Sequence, residues 1–432
     1  MLSIKKLCAG IGIGLASCGA ARAAVIFNGF GQIIVGTTLD NSRPMNVRTP
    51  AYAYSADPSF LSESLFALQT TATLSDTLSA VAQIVASGVP GEKDTSGSVT
   101  PGNFQPEFSW AYLHGELDNQ WSVNLGRQRL PLYRYSGYLQ VGVAYPWIRP
   151  PSSVYSTPIN NFDGVLLNGD FSPGDWFLHP QFFYGGFNGN ALISATPVSI
   201  KLNNLGGAVI EATYANWLTL RAEFGGGQLT FHTALPDQII DDCLNATACA
   251  TLPAPYNTLN IFTPLPAAAD VLRSDNKWIT YTSAAFELNR YNFVLIGEIN
   301  EQRIIGGSYL ANYRNYYIGA GYQFGRLLPM LTYSRGRAKN SDPNSLNIVT
   351  ADITAGNPFG ASDPRILVVQ GLFAQISTID DYYEFSLRYD LTATVALKLD
   401  YTYYASPADP AIFTAQGFQH AQIVSGGVAF SF

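Results

Sequence analysis

Thr394–Tyr404 reads TVALKLDYTYY. In an extended chain Val395, Leu397, Leu399, Tyr401 and Tyr403 fall on one side, and Ala396, Lys398, Asp400, Thr402 and Tyr404 on the other, because successive Cβ atoms alternate across a strand. An alternation of about ten residues suits a strand that crosses a bilayer in a closed barrel, apolar outward and polar inward. One such segment is weak. The argument lies in its repetition.

Working outward, the same signal recurs at about Val25–Thr38, Glu63–Leu74, Leu78–Ser87, Glu107–Leu117, Trp121–Arg129, Phe162–Phe171, Trp176–Gly185 and Gly206–Tyr214. It continues at about Leu218–Leu229, Trp278–Leu288, Asn292–Gln302, Asn315–Phe324, Leu327–Arg335, Asp381–Tyr389 and Gln419–Phe432. With the opening segment that makes sixteen. Tight turns such as Ser172-Pro173-Gly174-Asp175 alternate with long polar connections, the longest at 232–274 and 336–379. The expected fold is all-β: a transmembrane antiparallel barrel of about sixteen strands, wide enough for an aqueous channel. Trp121, Trp176, Trp278, Tyr389 and Tyr403 stand at strand ends, where aromatic residues suit the two membrane interfaces. A soluble all-β chain of several domains does not account for them.

Composition agrees. Hydrophobic content is 47%, aromatic content 13% and charged content only 13%, a low charge for a soluble domain. Residues 1–23 read as an export signal, with Lys5 and Lys6, the apolar run Leu7–Ala16 and the cleavage site Ala21-Arg22-Ala23. A rival reading takes Leu15-Ala16-Ser17-Cys18 as a lipobox with a lipidated Cys18. Residues 24–432 then form one barrel domain. Losing 1–23 removes three basic residues and no acidic one, which leaves 21 basic against 31 acidic residues and a net charge of −10. That balance argues against nucleic-acid binding. Cys243 and Cys249 remain, and in an oxidising compartment they are expected to pair. No histidine pair completes a zinc site with them. No cofactor is expected.

Gly126–Asp163 departs from the strand rhythm. It follows the fifth segment and is long for a connection between neighbouring strands. It carries Arg127, Arg129, Arg134 and Arg149, and no acidic residue before Asp163. Pro131, Pro146, Pro150 and Pro151 stop it from continuing either neighbour. The expectation is a loop folded inward that narrows the channel, with Arg127, Arg129, Arg134, Arg149, Tyr133, Tyr145 and Asp163 as constriction residues. Guanidinium groups in a narrow wet gap favour anions. Two readings of Arg127 and Arg129 stand side by side. They line the lumen, or they pair with Glu107, Glu116 or Asp163 and staple the loop to the wall. Their parity with Trp121, Val123 and Leu125 weighs against the first. Likewise Tyr133, Tyr135, Tyr138, Tyr145 and Tyr155 either form a stacking slide or pack the loop. On the wall, Arg221, Glu223, Glu287, Glu298, Glu384, Arg388, Lys398 and Asp400 are candidate lumen residues, because an outward charge at mid-membrane costs about 2–4 kcal/mol for Arg or Lys.

The chain ends Val428-Ala429-Phe430-Ser431-Phe432. This resembles the C-terminal signal by which outer-membrane barrels are recognised for assembly, carried by Phe432. Phe27-Asn28-Gly29-Phe30-Gly31-Gln32 resembles the first strand of Gram-negative porins. The resemblance to the porin superfamily covers the whole mature chain. It implies location in the outer membrane among lipid and lipopolysaccharide, a homotrimer, contact with the barrel-assembly machinery and passive diffusion of small hydrophilic solutes. The acidic Pro-Glu-Phe-Gly-Gly-type element of general porins is missing from the loop, and arginines stand there instead, which gives a weak lean towards anions. The alternative is a barrel that works through its long loops as an adhesin or structural protein. Enzymatic chemistry finds little support. His114, His179, His232 and His420 are scattered, and no Gly-x-Ser-x-Gly element occurs.

Overall fold

The computed structural model describes residues 24–39, 45–47, 52–54, 56–88, 104–155, 157, 159–193, 196–232, 237–238, 240–247, 249, 252, 262–308, 310–340, 343–355, 360–374, 379–405 and 420–432. The export signal and Cys18 lie outside the described residues. Sixteen strands close into one antiparallel barrel. They are β1 Val25–Thr38, β2 Leu65–Thr73, β3 Leu78–Ser87, β4 Pro106–Glu116, β5 Trp121–Arg129, β6 Asn161–Gly169, β7 Trp176–Ile193 and β8 Thr196–Tyr214. There follow β9 Leu218–His232, β10 Lys277–Arg290, β11 Phe293–Ile305, β12 Ala311–Tyr322, β13 Leu327–Asn340, β14 Ile379–Thr392, β15 Val395–Tyr404 and β16 Ala421–Ser431. Each pairs with its sequence neighbour, and β1 pairs with both β2 and β16. Closure leaves no strand edge unpaired. In a bilayer this matters, because lipid offers backbone amides no partner.

The connections at one end of the barrel are all short, and the long ones, among them those after β5, β9 and β13, lie at the other. At Ala215-Asn216 and Tyr291-Asn292 both residues of each pair are left-handed, the conformation that matches the twist of a tight hairpin. Burial follows the alternation read from sequence. Along β15, Ala396, Lys398, Asp400, Thr402 and Tyr404 are buried, while Leu397 and Leu399 are exposed. The outward face of the barrel shows Phe108, Leu125, Ile210, Phe224, Ile299, Ile318, Leu331 and Phe385. An apolar belt of that extent calls for lipid around it. No helix among the described residues is long and apolar enough to cross a membrane.

Three features differ from the sequence reading. First, β7 and β8 run well past Gly185 and start well before Gly206, so most of 186–205 is strand rather than connection. A bulge at Asn203–Gly206, with Asn204 left-handed, hides the rhythm. The inward side of this extension is apolar (Phe187, Val198, Ile200, Leu202, Leu205). Second, the two longest connections contain helices: α1 Pro266–Leu272 after β9, and α2 Pro343–Ala355 and α3 Arg365–Ala374 after β13. Third, Met45–Val47 and Tyr52–Tyr54 make a small separate ribbon between β1 and β2.

The helices pack on one another and share a single apolar cluster with the inward residues of β7–β13. Arg365 ties the two connections together. It is fully buried, grips Asp363 with two nitrogens, donates to the Thr263 carbonyl at 2.9 Å and lies 4.7 Å over the Phe262 ring. Cys243 and Cys249 are joined in a disulfide beside it.

The outward position of Leu331 gives a direct test. Leu331→Arg should destabilise the barrel in lipid vesicles by about 2–4 kcal/mol, read by reversible denaturant unfolding. A loss near zero would mean that this face is not in contact with hydrocarbon.

Candidate functional site: the segment between β5 and β6

Leu130 donates to the Asn160 carbonyl at 2.9 Å, which closes a neck where β5 and β6 part. The described residues between them do not form a ladder. Two short 3-10 turns, Ser136–Tyr138 and Gly142–Ala144, break the path, and the prolines remove backbone donors. The segment runs along the inward, polar faces of the wall strands and bonds to many of them.

Its first part meets β8 to β11. Arg221 donates to the Pro131 carbonyl at 2.6 Å. The Arg134 amide donates to Glu298 at 3.1 Å, and its guanidinium reaches Tyr138, Glu211 and Glu287 at 2.7, 3.4 and 3.1 Å. The middle part meets β13 to β15. Lys398 donates to three carbonyls, those of Gly142, Tyr145 and Trp147. Arg388 donates to the carbonyls of Val143 and Tyr145 at 2.8 and 3.0 Å. Trp147 Nε1 donates to Thr332 at 2.8 Å, and the Ile148 amide donates to Asp400 at 2.7 Å. Arg149 pairs with Glu63, which also accepts from Tyr54. The last part returns past β11. Asn300 donates to the Val154 carbonyl at 3.2 Å, and Tyr155 donates to Glu298 at 2.6 Å.

The tyrosines interlock rather than line a slide. Tyr133, Tyr135, Tyr145, Trp147, Tyr155 and Tyr317 make a chain of ring contacts with centroids 4.6–6.3 Å apart. All six are buried. Burial pushes the Tyr138 hydroxyl up to about 12 against the opposing pull of Arg134, and it raises Tyr133, Tyr135 and Tyr155 as well. These hydroxyls stay protonated near neutral pH, where those of Tyr135 and Tyr155 donate to Glu287 and Glu298.

Arg127 and Asp163 do not belong to this set. They are directly opposite in the β5–β6 register and form a two-pronged ion pair at 2.8 and 2.9 Å. They share a face with Leu125 and Val165, both exposed on the outside. A strand's side chains alternate strictly, so this pair faces outward, and both residues drop out of the expected constriction. Arg129, the last ladder residue of β5 and opposite Asn161, is buried and turns inward where the strand gives way to the segment. Its guanidinium lies 5.5 Å over the Trp110 ring and donates to Gln140 at 3.0 Å. The wall residues Arg221, Glu223, Glu287, Glu298, Glu384, Arg388, Lys398 and Asp400 all take inward positions. Arg221 lies 3.5 Å from Glu223, Ser386 donates to Glu384 at 3.3 Å, and Arg388 pairs with Asp390 at 2.7 Å.

Between the first part of the segment and strands β4 to β9 lies a cavity of about 260 Å³. Trp110, Tyr112, Asn124, Gln128, Gln181 and Tyr138 line it, with Arg129, Arg134, Arg221, Glu211 and His179 as its ionisable groups. Sequence reasoning missed Trp110, Tyr112, Asn124, Gln181 and Glu211. Their inward parity on β4, β5, β7 and β8 was available, but nothing in the sequence says which sector of the wall the segment leaves uncovered. Glu63 was also missed. It opens the expected Glu63–Leu74 segment without a role of its own, and in the structure it sits just before β2.

No family model matches the chain, and no curated protein matches it. Solved structures do. The outer-membrane channel DcaP of Acinetobacter baumannii aligns over 97% of this chain and 100% of its own, at 14% identity and a TM-score of 0.52. OmpF of Salmonella typhi aligns over 94% and 97%, at 11% identity and a TM-score of 0.51. OmpT of Vibrio cholerae, an outer-membrane protein, aligns over 96% and 99%, at 10% identity and a TM-score of 0.50. The likeness is one of fold: the chain is a closed sixteen-stranded barrel of the kind found in outer-membrane porins.

Proposed function

We propose that the chain is an outer-membrane porin, a water-filled channel through which small hydrophilic solutes diffuse passively. The segment between β5 and β6 is its constriction. The observation that carries this reading is the bonding of that segment to inward residues of β8–β15, far from the strands it joins. Such a span divides the lumen. We take the open passage to run on the β4–β9 side, through the cavity lined by Arg129, Arg134 and Arg221 with Glu211 as the one carboxylate among its lining. That balance supports a weak lean to anions, since low-dielectric walls strengthen the field of a charge in a gap. The remaining site charges act as staples. The assembly we propose is a homotrimer, as the porin likeness implies, with Phe432 serving as the assembly signal.

Purified protein in a planar bilayer should give stepwise conductance, and silence under all conditions tried would defeat the channel reading. In a salt gradient the reversal potential of Arg129→Gln should move towards cation preference. An unchanged potential removes the anion lean. Lys398→Met leaves every ladder bond intact but strips the Gly142 and Trp147 carbonyls of their side-chain donor, while Tyr145 keeps Arg388 and Asp400 keeps the Ile148 amide. It should cost about 1–3 kcal/mol for each carbonyl left unpaired and raise both single-channel conductance and its noise. If the variant is folded by gel mobility and conducts as the parent does, the segment does not set the pore.

A further inference from the structure

The outward face of β11, β12 and β13 changes character along its height. Nearest the short turns it is apolar, with Ile299, Ile318 and Leu331 exposed. Above these stands a tier of tyrosines. Tyr316, Tyr333 and Tyr383 are on outward positions, with ring centroids 6.1 and 5.1 Å apart. Tyrosines at that height mark the boundary between hydrocarbon and headgroups. Directly above them, towards the long-loop end, Arg303, Arg314, Arg335, Arg337 and Lys339 share the outward face with two carboxylates, Glu301 and Asp381.

The charges do not balance. Glu301 accepts from both Arg303 and Arg314, at 2.9 and 2.8 Å. Asp381 is taken by Arg335 at 2.9 Å. Arg314 and Arg337 are directly opposite in the β12–β13 register. Like charges so placed repel. Arg337 and Lys339 are exposed and have no ion pair among the described residues. Across β5 and β6 an outward charge is neutralised by its neighbour, as Arg127 and Asp163 show.

We propose that this surplus is a binding site for the phosphate groups of a lipid headgroup, in the leaflet at the long-loop end. Guanidinium pairs grip phosphate oxygens with two donors each, and an anion held between Arg314 and Arg337 turns their repulsion into a clamp. The occupant is a phosphorylated lipid rather than a free ion. The clamp sits at headgroup height, above tyrosines and an apolar belt that acyl chains cover. The proposal requires only that the barrel crosses a membrane, and it is independent of conduction.

The test uses the mature protein in neutral detergent, with its unfolding temperature followed by circular dichroism. Three additions are compared: diphosphoryl lipid A, phosphatidylcholine and inorganic phosphate. Lipid A should raise the unfolding temperature. The Arg314→Gln/Arg337→Gln variant should need about ten-fold more lipid A for the same rise. Lys201→Gln, an outward exposed position on β8, should behave as the parent. Single-channel conductance of the double variant should be unchanged, which separates this site from the pore. Should the double variant fail to fold, Arg337→Gln alone carries the test. No rise with lipid A, an equal rise with phosphatidylcholine, or full retention of the effect in the variant overturns the proposal. An equal rise with inorganic phosphate at matched phosphate concentration overturns the lipid source in favour of a free anion.

Discussion

The buried charges on the inward face of β9, β14 and β15 are the constraint around which the interior is arranged. A barrel of this strand number has room for water beside every inward side chain. Here Arg221, Lys398 and Asp400 are nonetheless buried, because the segment between β5 and β6 lies over them. A charge removed from water must find partners or be lost. The segment provides them from its own backbone: carbonyls for Lys398, Arg388 and Arg221, and an amide for Asp400. The path of the segment and the identity of the wall residues are therefore one specification. Neither side is satisfied alone. This also explains why the segment is rich in proline and low in acidic residues. Its irregular backbone leaves carbonyls unpaired, and those carbonyls serve as the wall's acceptors.

The rest of the lumen is divided by polarity. Towards the long-loop end, the inward faces of β7 to β13 are apolar and join one cluster with α1, α2 and α3. The two connections that carry these helices lie far apart in sequence, yet Arg365, held by Asp363, donates to the Cys243 and Thr263 carbonyls and binds them into one body. A fully buried ion pair adds little net stability by itself, but losing one partner is costly. Its effect is to fix which carbonyls of the first connection meet the second. The polar sector against β4 to β9 is what remains lined by water-seeking groups.

How much of this was legible in the sequence follows from which forces act locally. Strand number, order and the inward placement of Arg221, Glu223, Lys398 and Asp400 could be read from alternation, since membrane and lumen impose opposite polarities on neighbouring residues. The β7–β8 hairpin was cut short because its upper half is apolar inside, where the helices cover it, so the expected contrast between faces fades. Asn204 then adds a bulge that shifts the phase. Arg127 and Arg129 have the same parity but different fates. The chain departs from the ladder just after Arg129, and a departure angle is a tertiary property. The partners of Arg149 and Arg134, namely Glu63, Glu211 and Glu287, lie tens to hundreds of residues away. Only the closed barrel brings them together.

The outer surface obeys a parallel logic with a different solvent. Where a charge must stand among lipid-facing residues, β5 and β6 set an arginine against an aspartate in direct register, and β13 and β14 do the same with Arg335 and Asp381. Both pairs cancel their field within one pair of strands, so they need nothing from their surroundings. Between β12 and β13 the register instead sets Arg314 against Arg337, and the cancellation fails. A strand register is fixed by the whole barrel and cannot slip locally without turning every side chain to the wrong face. The repulsion at this height is therefore locked into the fold. Relief has to come from outside the chain, and at the level of the tyrosine tier the anions within reach are those of the bilayer's own headgroups.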